Sequence, residues 1–236
     1  MVIKSIAIIP ARGGSKRIPG KNILDFKGRP MIAWTIQAAL ERCIFDKVLV
    51  STDSEEIAEI SIKYGASVPF LRVDGADDMA SSSQATIASL MQAEAHWNDH
   101  FNTVVQLMPN CPLRTSGDVL KAIEAFFEKS SNFQISVFRY GWMNPWWALK
   151  IDQNGLPKPV FKEAIESRSQ DLEKLYCPTG AIWIANREAL IKAGTFYGQD
   201  YRVFEMSCLS AIDIDDYDDL AMAECFADIK LGQEAE

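Results

Sequence analysis

The sequence KSIAIIPARGGSKRIPGKN at residues 4–22 decides the fold of this chain. Residues 4–9 are rich in β-branched and apolar side chains, which is typical of a strand buried on both faces of a parallel sheet. The glycines and prolines of residues 11–20 then predict a loop. Because α/β sheets bind ligands at the carboxyl ends of their parallel strands, this loop is the first candidate for a functional site.

Strands and helices alternate along the rest of the chain. The patterns predict helices over residues 30–42, 55–64, 85–97, 117–129, 187–193 and 215–231. They predict strands over residues 47–51, 67–71, 103–108, 134–139, 180–185 and 211–214. This alternation indicates an α/β fold with a mostly parallel sheet flanked by helices and joined by right-handed crossovers.

Residues 140–176 break the alternation. They carry three tryptophans among prolines, with an Asn154-Gly155 turn and no long amphipathic helix. We interpret them as a hairpin excursion, within a single domain over residues 1–236, that covers a ligand or a partner subunit.

Composition excludes several classes of protein. A net charge of -8 argues against nucleic-acid binding, and no apolar run approaches the roughly 20 residues of a membrane-spanning helix. The N-terminus lacks the pattern of an export signal, and five cysteines without a Cys-x-x-Cys pair favour reduced thiols. We therefore expect a cytoplasmic protein.

Positive charge is concentrated in the glycine-rich loop, which suits a small polyanion. Gly13 and Gly14 let backbone amides approach an anion, while Arg12, Lys16 and Lys21 offset the charge of a triphosphate. Neither a Walker pattern nor Gly-x-Gly-x-x-Gly is present. A solvated surface turn is the alternative interpretation.

Two carboxylates near the C-terminus are candidate metal ligands. In Asp213-Ile214-Asp215 they lie two residues apart at the end of a predicted strand, so both are expected on one side. Oxygen ligands favour Mg²⁺ or Mn²⁺ over Zn²⁺. The alternative is that Asp215 caps the last helix and Asp213 is solvated.

These motifs together resemble the sialic-acid cytidylyltransferases, the CMP-N-acetylneuraminate synthetase family, which includes enzymes for pseudaminic and legionaminic acids. The resemblance rests on Ile9 to Asn22, Val50-Ser51-Thr52-Asp53, Pro112-Leu113-Arg114, Gly180-Ala181-Ile182 and Ile212-Asp213-Ile214-Asp215. It implies a Rossmann-like nucleotidyltransferase fold and a homodimer in which the excursion crosses between subunits.

The resemblance also implies a reaction, in which CMP from CTP is joined to a nine-carbon keto sugar acid with Mg²⁺ as cofactor. The implied catalytic residues are Arg12, Lys16, Lys21, Asp213 and Asp215, of which the two aspartates hold the metal. The implied nucleotide-binding residues are Ala11, Arg12, Gly13, Gly14, Ser15, Lys16, Lys21, Asn22, Thr86, Gln106 and Met108, with Arg17 optional.

The chain departs from the family at the nucleotide side. The family's Gln-Pro-Thr-Ser-Pro-Leu-Arg segment is here Met108-Pro109-Asn110-Cys111-Pro112-Leu113-Arg114. Met108 cannot form the hydrogen bonds of an amide, so Gln106, two residues earlier on the same strand face, is the candidate substitute for reading cytosine.

It also departs at the acceptor side. Trp147 stands where the family has a lysine, and Cys177 where it has an arginine, which leaves Arg168 for the sugar carboxylate. These departures predict an acceptor other than N-acetylneuraminate, with Trp146 and Trp147 as apolar walls for a deoxy or acylated sugar. Gln170 and Tyr176 lie where the family presents acceptor-side residues. Alternatively, the tryptophans only pack in the dimer.

Two other functions remain open at this point. One is a cytidylyltransferase for another keto sugar acid, such as 3-deoxy-manno-octulosonate. The other is a non-catalytic nucleotide-binding regulator, against which the retained pair Asp213 and Asp215 counts.

Overall fold

The computed structural model describes residues 4–72 and 81–234. Its helices are α1 Met31–Leu40, α2 Glu55–Lys63, α3 Ser82–Trp97, α4 Ser116–Glu128, α5 Arg187–Ala193 and α6 Tyr217–Glu234. Its strands are β1 Ser5–Pro10, β2 Asp25–Phe26, β3 Arg29–Pro30, β4 Lys47–Ser51, β5 Thr103–Gln106, β6 Phe133–Arg139, β7 Leu149–Ile151, β8 Pro157–Pro159, β9 Tyr176–Asn186 and β10 Arg202–Glu205.

Six strands form one sheet in the order β10-β6-β9-β5-β1-β4. The neighbours β1/β4, β1/β5 and β6/β10 are parallel, whereas β9 is antiparallel to β5 and β6. The predicted fold class, a mostly parallel sheet flanked by helices, is confirmed. The pairs β2/β3 and β7/β8 form separate short hairpins.

Strand β1 lies at the centre of the core, as its apolar sequence predicts. Ile6 and Ile8 pack in a buried cluster with side chains of α3 and α5, while Ala7 and Ile9 pack in a second cluster with side chains of α1 and α4. Because successive side chains of a strand point to opposite faces, β1 must be apolar from Ile6 to Ile9 to fill both clusters.

Two predicted strands are wrong, and one strand of the six-stranded sheet was not predicted. Residues 67–71 contribute only an isolated bridge between Ser67 and Leu49, because Pro69 follows and lacks the N–H that a ladder needs. Residues 211–214 are also outside the ladders, although Ile212 and Ile214 are buried. Strand β10 instead completes the sheet, with a pattern too exposed to indicate a buried strand.

Three segments meet at the edge of the sheet where β1 and β5 end. The Leu107 N–H donates to the carbonyl of Ile8 at 3.0 Å, and the Met108 N–H donates to that of Gly180 at 3.2 Å. The Ile214 N–H in turn donates to the carbonyl of Asn110 at 2.9 Å. These bonds hold the segment after β5 between the start of β9 and residues 211–215.

Residues 140–176 contain the β7/β8 hairpin and three 3₁₀ turns. The turns are Pro145–Trp147, Lys162–Ala164 and Ser169–Asp171. Large apolar side chains in this region face outward, among them Trp142 at 84% and Ile151 at 72% exposure. Within the described part of the chain, no helix has the length and apolar character needed to cross a bilayer.

Candidate active site

A cleft of about 380 Å³ opens at this edge of the sheet. It is lined by the glycine-rich loop, by the segment that follows β5, and by one carboxylate of residues 213–215. The predicted site residues that line it are Arg12, Ser15, Lys16, Lys21, Asn22, Met108 and Asp215; Pro10, Arg17, Pro109 and Asn110 complete the wall. Cations and a carboxylate thus face the same space.

The glycine-rich loop is held from below by a side chain that the sequence analysis did not assign. The Asp53 carboxylate accepts the Gly13 N–H at 2.7 Å, so in this structure the amide of Gly13 is directed at Asp53. A Cβ at Gly13 would lie 3.1 Å from the Cβ of Ser54, which explains the glycine. Asn22, which is buried, donates its amide to the carbonyl of Arg12 at 3.0 Å.

Lys21 joins the glycine-rich loop to the carboxylates. Its Nζ donates to the carbonyl of Ile214 at 2.8 Å and to Asp215 Oδ1 at 3.0 Å. Arg17, only an optional residue in the sequence analysis, contacts Asp215 Oδ2 at 2.8 Å. Burial alone would raise the pKa of Asp215, but Lys21 and Arg17 lower it below its ordinary value.

Asp213 lies in a different environment. It is mostly buried, and its carboxylate accepts hydrogen bonds from the Asn110 amide and the Gly180 N–H. Burial, and then the neighbouring Asp215 carboxylate, raise the pKa of Asp213, although Lys21 lowers it. Neutral amide groups therefore bind the Asp213 carboxylate, whereas the cationic side chains of Lys21 and Arg17 bind the Asp215 carboxylate.

Two expectations about these aspartates are wrong. They do not lie at the end of a strand, because residues 211–215 form no ladder, so the predicted alternation does not explain their proximity. Nor does the Asp215 side chain cap α6. The Asp216 carboxylate does so by accepting the N–H groups of Asp218 and Asp219, each at 3.0 Å.

The aspartates fit a hard cation that takes its other ligands from phosphate and water. Within residues 4–72 and 81–230 there is no group of three or more His, Cys, Asp or Glu side chains suited to a metal. A pair of carboxylates with substrate phosphates is a usual Mg²⁺ arrangement. The mostly buried, dipole-held Asp213 and the buried Asn110 Oδ1, which has no hydrogen-bond partner among these residues, are consistent with such an ion.

Gln106 and Thr86 lie behind the cleft instead of lining it. Both are fully buried, and the Thr86 hydroxyl donates to Gln106 Oε1 at 2.7 Å while Gln106 Nε2 donates to the Ser82 hydroxyl at 3.4 Å. Ala11 is fully buried too, with its N–H on the Ser51 carbonyl. The Gln106 amide is thus engaged within the core, which makes it a poor substitute for the family's cytosine-reading glutamine.

Arg72 was missed by the sequence analysis. It is 5% exposed, and among the described residues its Nε and Nη1 groups have no hydrogen-bond partner. Burial lowers its pKa, with Asp53 and Arg12 close enough to act on it electrostatically. A lone arginine beyond a short apolar run carries no signal in the sequence, so only the fold brings it near the glycine-rich loop.

Arg114, from the Pro112-Leu113-Arg114 motif, has a structural role. Its Nη1 donates to the carbonyl of Ala181 at 2.5 Å and its Nη2 to the Thr35 hydroxyl at 2.7 Å. Complete burial lowers its pKa to about 10. The motif therefore fixes the segment after β5 against β9 and α1.

The predicted acceptor residues lie elsewhere. Trp147 and Gln170 line a second cleft of about 620 Å³ with Arg139, Trp142 and Lys174. Arg168 and Tyr176 are not among its lining residues, and Arg168 Nε contacts Asp171 Oδ2 at 2.7 Å. Among the described residues, the two clefts have no lining residue in common.

Comparisons with known proteins show the family to which the chain is similar. A family model described as "Cytidylyltransferase" matches residues 6–181. The pseudaminic acid cytidylyltransferase of Campylobacter jejuni (serotype O:23/36) is 35% identical over 224 residues, covering 94% of this chain and 95% of that protein. The CMP-N,N'-diacetyllegionaminic acid synthase of Legionella pneumophila is 34% identical over 235 residues, covering 99% of each.

A solved structure shows the same fold. The CMP:2-keto-3-deoxy-manno-octonic acid synthetase complexed with CTP superimposes with a TM-score of 0.70, covering 96% of this chain and 99% of that chain. The two sequences are 17% identical, so this likeness concerns the fold alone.

Gly180 offers a test of how tightly the cleft is built. A Cβ there would lie 2.7 Å from Met108 Cγ and 3.1 Å from Asp213 Oδ2. We expect Gly180→Ala to cost about 1–3 kcal/mol in unfolding free energy and to weaken CTP binding about tenfold, because both side chains must shift. Chemical denaturation and titration calorimetry with CTP and Mg²⁺ would measure the two effects.

Gly117→Ala is the matched control, since a Cβ at Gly117 meets only the Thr115 hydroxyl at an ordinary 3.6 Å. It should leave CTP binding unchanged. Equal CTP affinity in both variants would show that Gly180 does not shape the cleft.

Proposed function

The chain belongs to the cytidylyltransferase family, and from this premise we propose that it transfers CMP from CTP to the anomeric hydroxyl of a nine-carbon keto sugar acid. One observation carries the proposal. The loop cations Arg12, Lys16 and Lys21 line the same cleft as Asp215, and Asp213 lies close enough to Asp215 and Lys21 to interact with them electrostatically. Such a cleft can hold a triphosphate together with a divalent cation.

The proposed reaction is a displacement at phosphorus. The anomeric oxygen attacks the α-phosphorus of CTP and loses its proton to solvent water. The bond between the α-phosphorus and the oxygen that bridges to the β-phosphate breaks, so that pyrophosphate leaves with that oxygen. Arg12 and Lys16 line the cleft and supply positive charge for the phosphates. Lys21 keeps residues 214 and 215 against the loop, so that both halves of the site stay in one place.

Asp213 and Asp215 are the proposed holders of Mg²⁺. When bound there, the ion would supply a positive charge that stabilises the phosphates as pyrophosphate leaves. Arg17 and Lys21 occupy Asp215 in this structure, and a triphosphate would offer these cations alternative acceptors. Exchange of these ion pairs would free Asp215 oxygens for the metal.

Recognition of the base is proposed to rest on Met108 and Arg72 instead of Gln106. Met108 lines the cleft. Arg72 does not line it, but it lies near the lining residue Arg12 and has two N–H groups that lack partners among the described residues. Buried donors of this kind gain most from a ligand that satisfies them. Gln106 would act by supporting the wall behind the cleft.

The proposed acceptor is a pseudaminic- or legionaminic-like sugar acid, not N-acetylneuraminate. Relatives named for these sugars match along nearly their full length. In the second cleft, Trp142 and Trp147 offer apolar surface, with Arg139 and Lys174 as cations for a carboxylate. An apolar wall suits a deoxy or acylated sugar better than a hydroxyl-rich one.

We also propose a homodimer built through residues 140–176. This region exposes Trp142, Leu149, Ile151 and Leu156, and contiguous exposed apolar surface is typical of an interface. A partner's region crossing to the nucleotide cleft would bring together the two clefts, which have no lining residue in common within one chain's described residues. A cytoplasmic location remains part of the proposal, and all five cysteines of the chain are free thiols.

Substrate choice can be measured directly. We expect CTP and Mg²⁺ to release pyrophosphate with pseudaminic or legionaminic acid at a kcat/KM about tenfold or more above that with N-acetylneuraminic acid, because the apolar wall favours the former. The panel should include 3-deoxy-manno-octulosonic acid.

Equal or faster turnover of N-acetylneuraminic acid would refute the proposed acceptor, and turnover of the eight-carbon acid alone would favour that rival. Bound CTP without turnover of any sugar acid would favour a binding protein.

The role of Asp213 can be separated from that of its neighbours. We expect Asp213→Asn to lower kcat about a hundredfold or more, because a neutral amide cannot replace a carboxylate beside the metal. The matched control is Asp216→Asn, which changes a carboxylate three residues away that only caps α6. Because asparagine caps a helix as well as aspartate does, the kcat of Asp216→Asn should stay within about twofold of the wild-type value.

Steady-state kinetics at saturating CTP and sugar acid would compare the two variants. Similar losses in both would show that Asp213 has no special part in the reaction.

The proposed interface can be tested by placing a charge in it. We expect Ile151→Glu to weaken the dimer about tenfold or more, because the carboxylate would be buried against an apolar partner. Ile62→Glu is the control, since Ile62 is 56% exposed on α2, outside residues 140–176. Sedimentation equilibrium at micromolar protein would measure both.

A monomeric wild type, or equal dissociation in both variants, would contradict the proposed interface.

A further inference from the structure

We propose that Asn110 is the positioning residue of the cation site, and that its side-chain amide fixes the Asp213 carboxylate in the orientation the ion requires. This inference rests on the proposed function, because it assigns a cation to Asp213. Asn110 itself is 4% exposed and lies on the segment after β5, in the wall of the nucleotide cleft.

The Asn110 amide holds residues 213–215 from two sides. Its Nδ2 donates one hydrogen to Asp213 Oδ1 and the other to the carbonyl of Ile214, at 2.9 Å for the second bond. The backbone carbonyl of Asn110 also accepts a hydrogen bond from the Ile214 N–H at 2.9 Å. A flipped amide would set its oxygen against two acceptor oxygens, so these partners determine its orientation.

The kind of donor matters as much as the geometry. Asp215 is bound by the cations Lys21 and Arg17, which compensate its charge. In the described part of the chain, the hydrogen bonds to Asp213 come from the neutral amides of Asn110 and Gly180. Neutral donors orient a carboxylate without cancelling its charge, so Asp213 keeps its attraction for a cation.

The side-chain oxygen of Asn110, Oδ1, also favours a bound cation. Asn110 Oδ1 is buried and accepts no hydrogen bond from the described residues. An unsatisfied buried acceptor is costly, and Mg²⁺ in proteins usually keeps several water ligands. A water of the hydrated ion would supply the donor that Oδ1 lacks, so one amide would position both a carboxylate and the hydration shell.

Asn110 is also one of the positions at which this chain departs from the family that it resembles. A threonine stands there in the family's segment, and its hydroxyl has one hydrogen to donate where the asparagine amide has two. A threonine could keep the bond to Asp213 but would leave the Ile214 carbonyl without its second partner. Asn110→Thr is therefore a conservative variant with a defined expectation.

Gln134 provides a matched control for the loss of a buried amide. It is fully buried on β6, its Nε2 donates to the Ala122 carbonyl at 2.8 Å, and its Oε1 has no partner among the described residues. It does not line the nucleotide cleft. Gln134→Ala should lower the thermal midpoint much as Asn110→Ala does, without a reason to alter ion binding.

The test measures Mn²⁺ binding to the full chain in the presence of one equivalent of CTP. The loss of the EPR signal of free Mn²⁺ reports the bound ion, and CTP without protein is the blank. We expect Asn110→Ala to bind Mn²⁺ about 10- to 100-fold more weakly than wild type, the usual effect of removing a residue that orients a metal ligand. The Mn²⁺ affinity of Asn110→Thr should stay within about threefold of the wild-type value. The Mn²⁺ affinity of Gln134→Ala should equal the wild-type value.

The inference is overturned by an unchanged Mn²⁺ affinity in Asn110→Ala, by an equal loss in Gln134→Ala, or by a wild type that retains no more Mn²⁺ than CTP alone. Its failure is distinguishable from failure of the proposed function. Wild-type turnover with unchanged binding in Asn110→Ala would remove only the role of Asn110. The expected binding series without turnover of any sugar acid would remove only the reaction.

Discussion

The ammonium group of Lys21 is the contact on which the cleft depends. It joins the loop after β1 to the Ile214 carbonyl and to Asp215, which lie 193 and 194 positions later in the sequence. Because its side chain is only 14% exposed, water screens the ion pair less than it would at the surface. The strongly basic loop and the strongly acidic C-terminal segment are thereby held on opposite sides of one small space.

Around that contact, the two aspartates have opposite electrostatic environments. Cations keep the pKa of Asp215 low, whereas burial and the charge of Asp215 keep that of Asp213 high. A bound triphosphate would compete for the cations, and a bound divalent ion would relieve the repulsion between the carboxylates. Nucleotide and metal should therefore bind cooperatively, because each relieves an electrostatic penalty that opposes binding of the other.

Local sequence rules predicted those parts of the molecule whose environment is set locally. A β-branched run before a glycine-rich loop indicated β1 and the basic loop that lines the cleft, and alternating patterns indicated a mostly parallel sheet. The rules failed where contacts between residues far apart in the sequence determine the local structure. Residues 211–214 have the apolar pattern of a strand and bury Ile212 and Ile214, yet the N–H groups of Ala211 and Ile214 donate to loop carbonyls. Arg72 and Asn110 gain their importance only from neighbours that the fold brings close.

The central claim is that this cleft binds CTP and a divalent cation as a unit, and calorimetric titration of CTP in the presence and absence of Mg²⁺ tests it most directly. We predict binding that is at least about tenfold tighter with Mg²⁺, and loss of most of this difference in Lys21→Met, which removes the bonds from the loop to the Ile214 carbonyl and to Asp215 Oδ1. Equal CTP affinity with and without Mg²⁺, or an unchanged metal dependence in Lys21→Met, would contradict it.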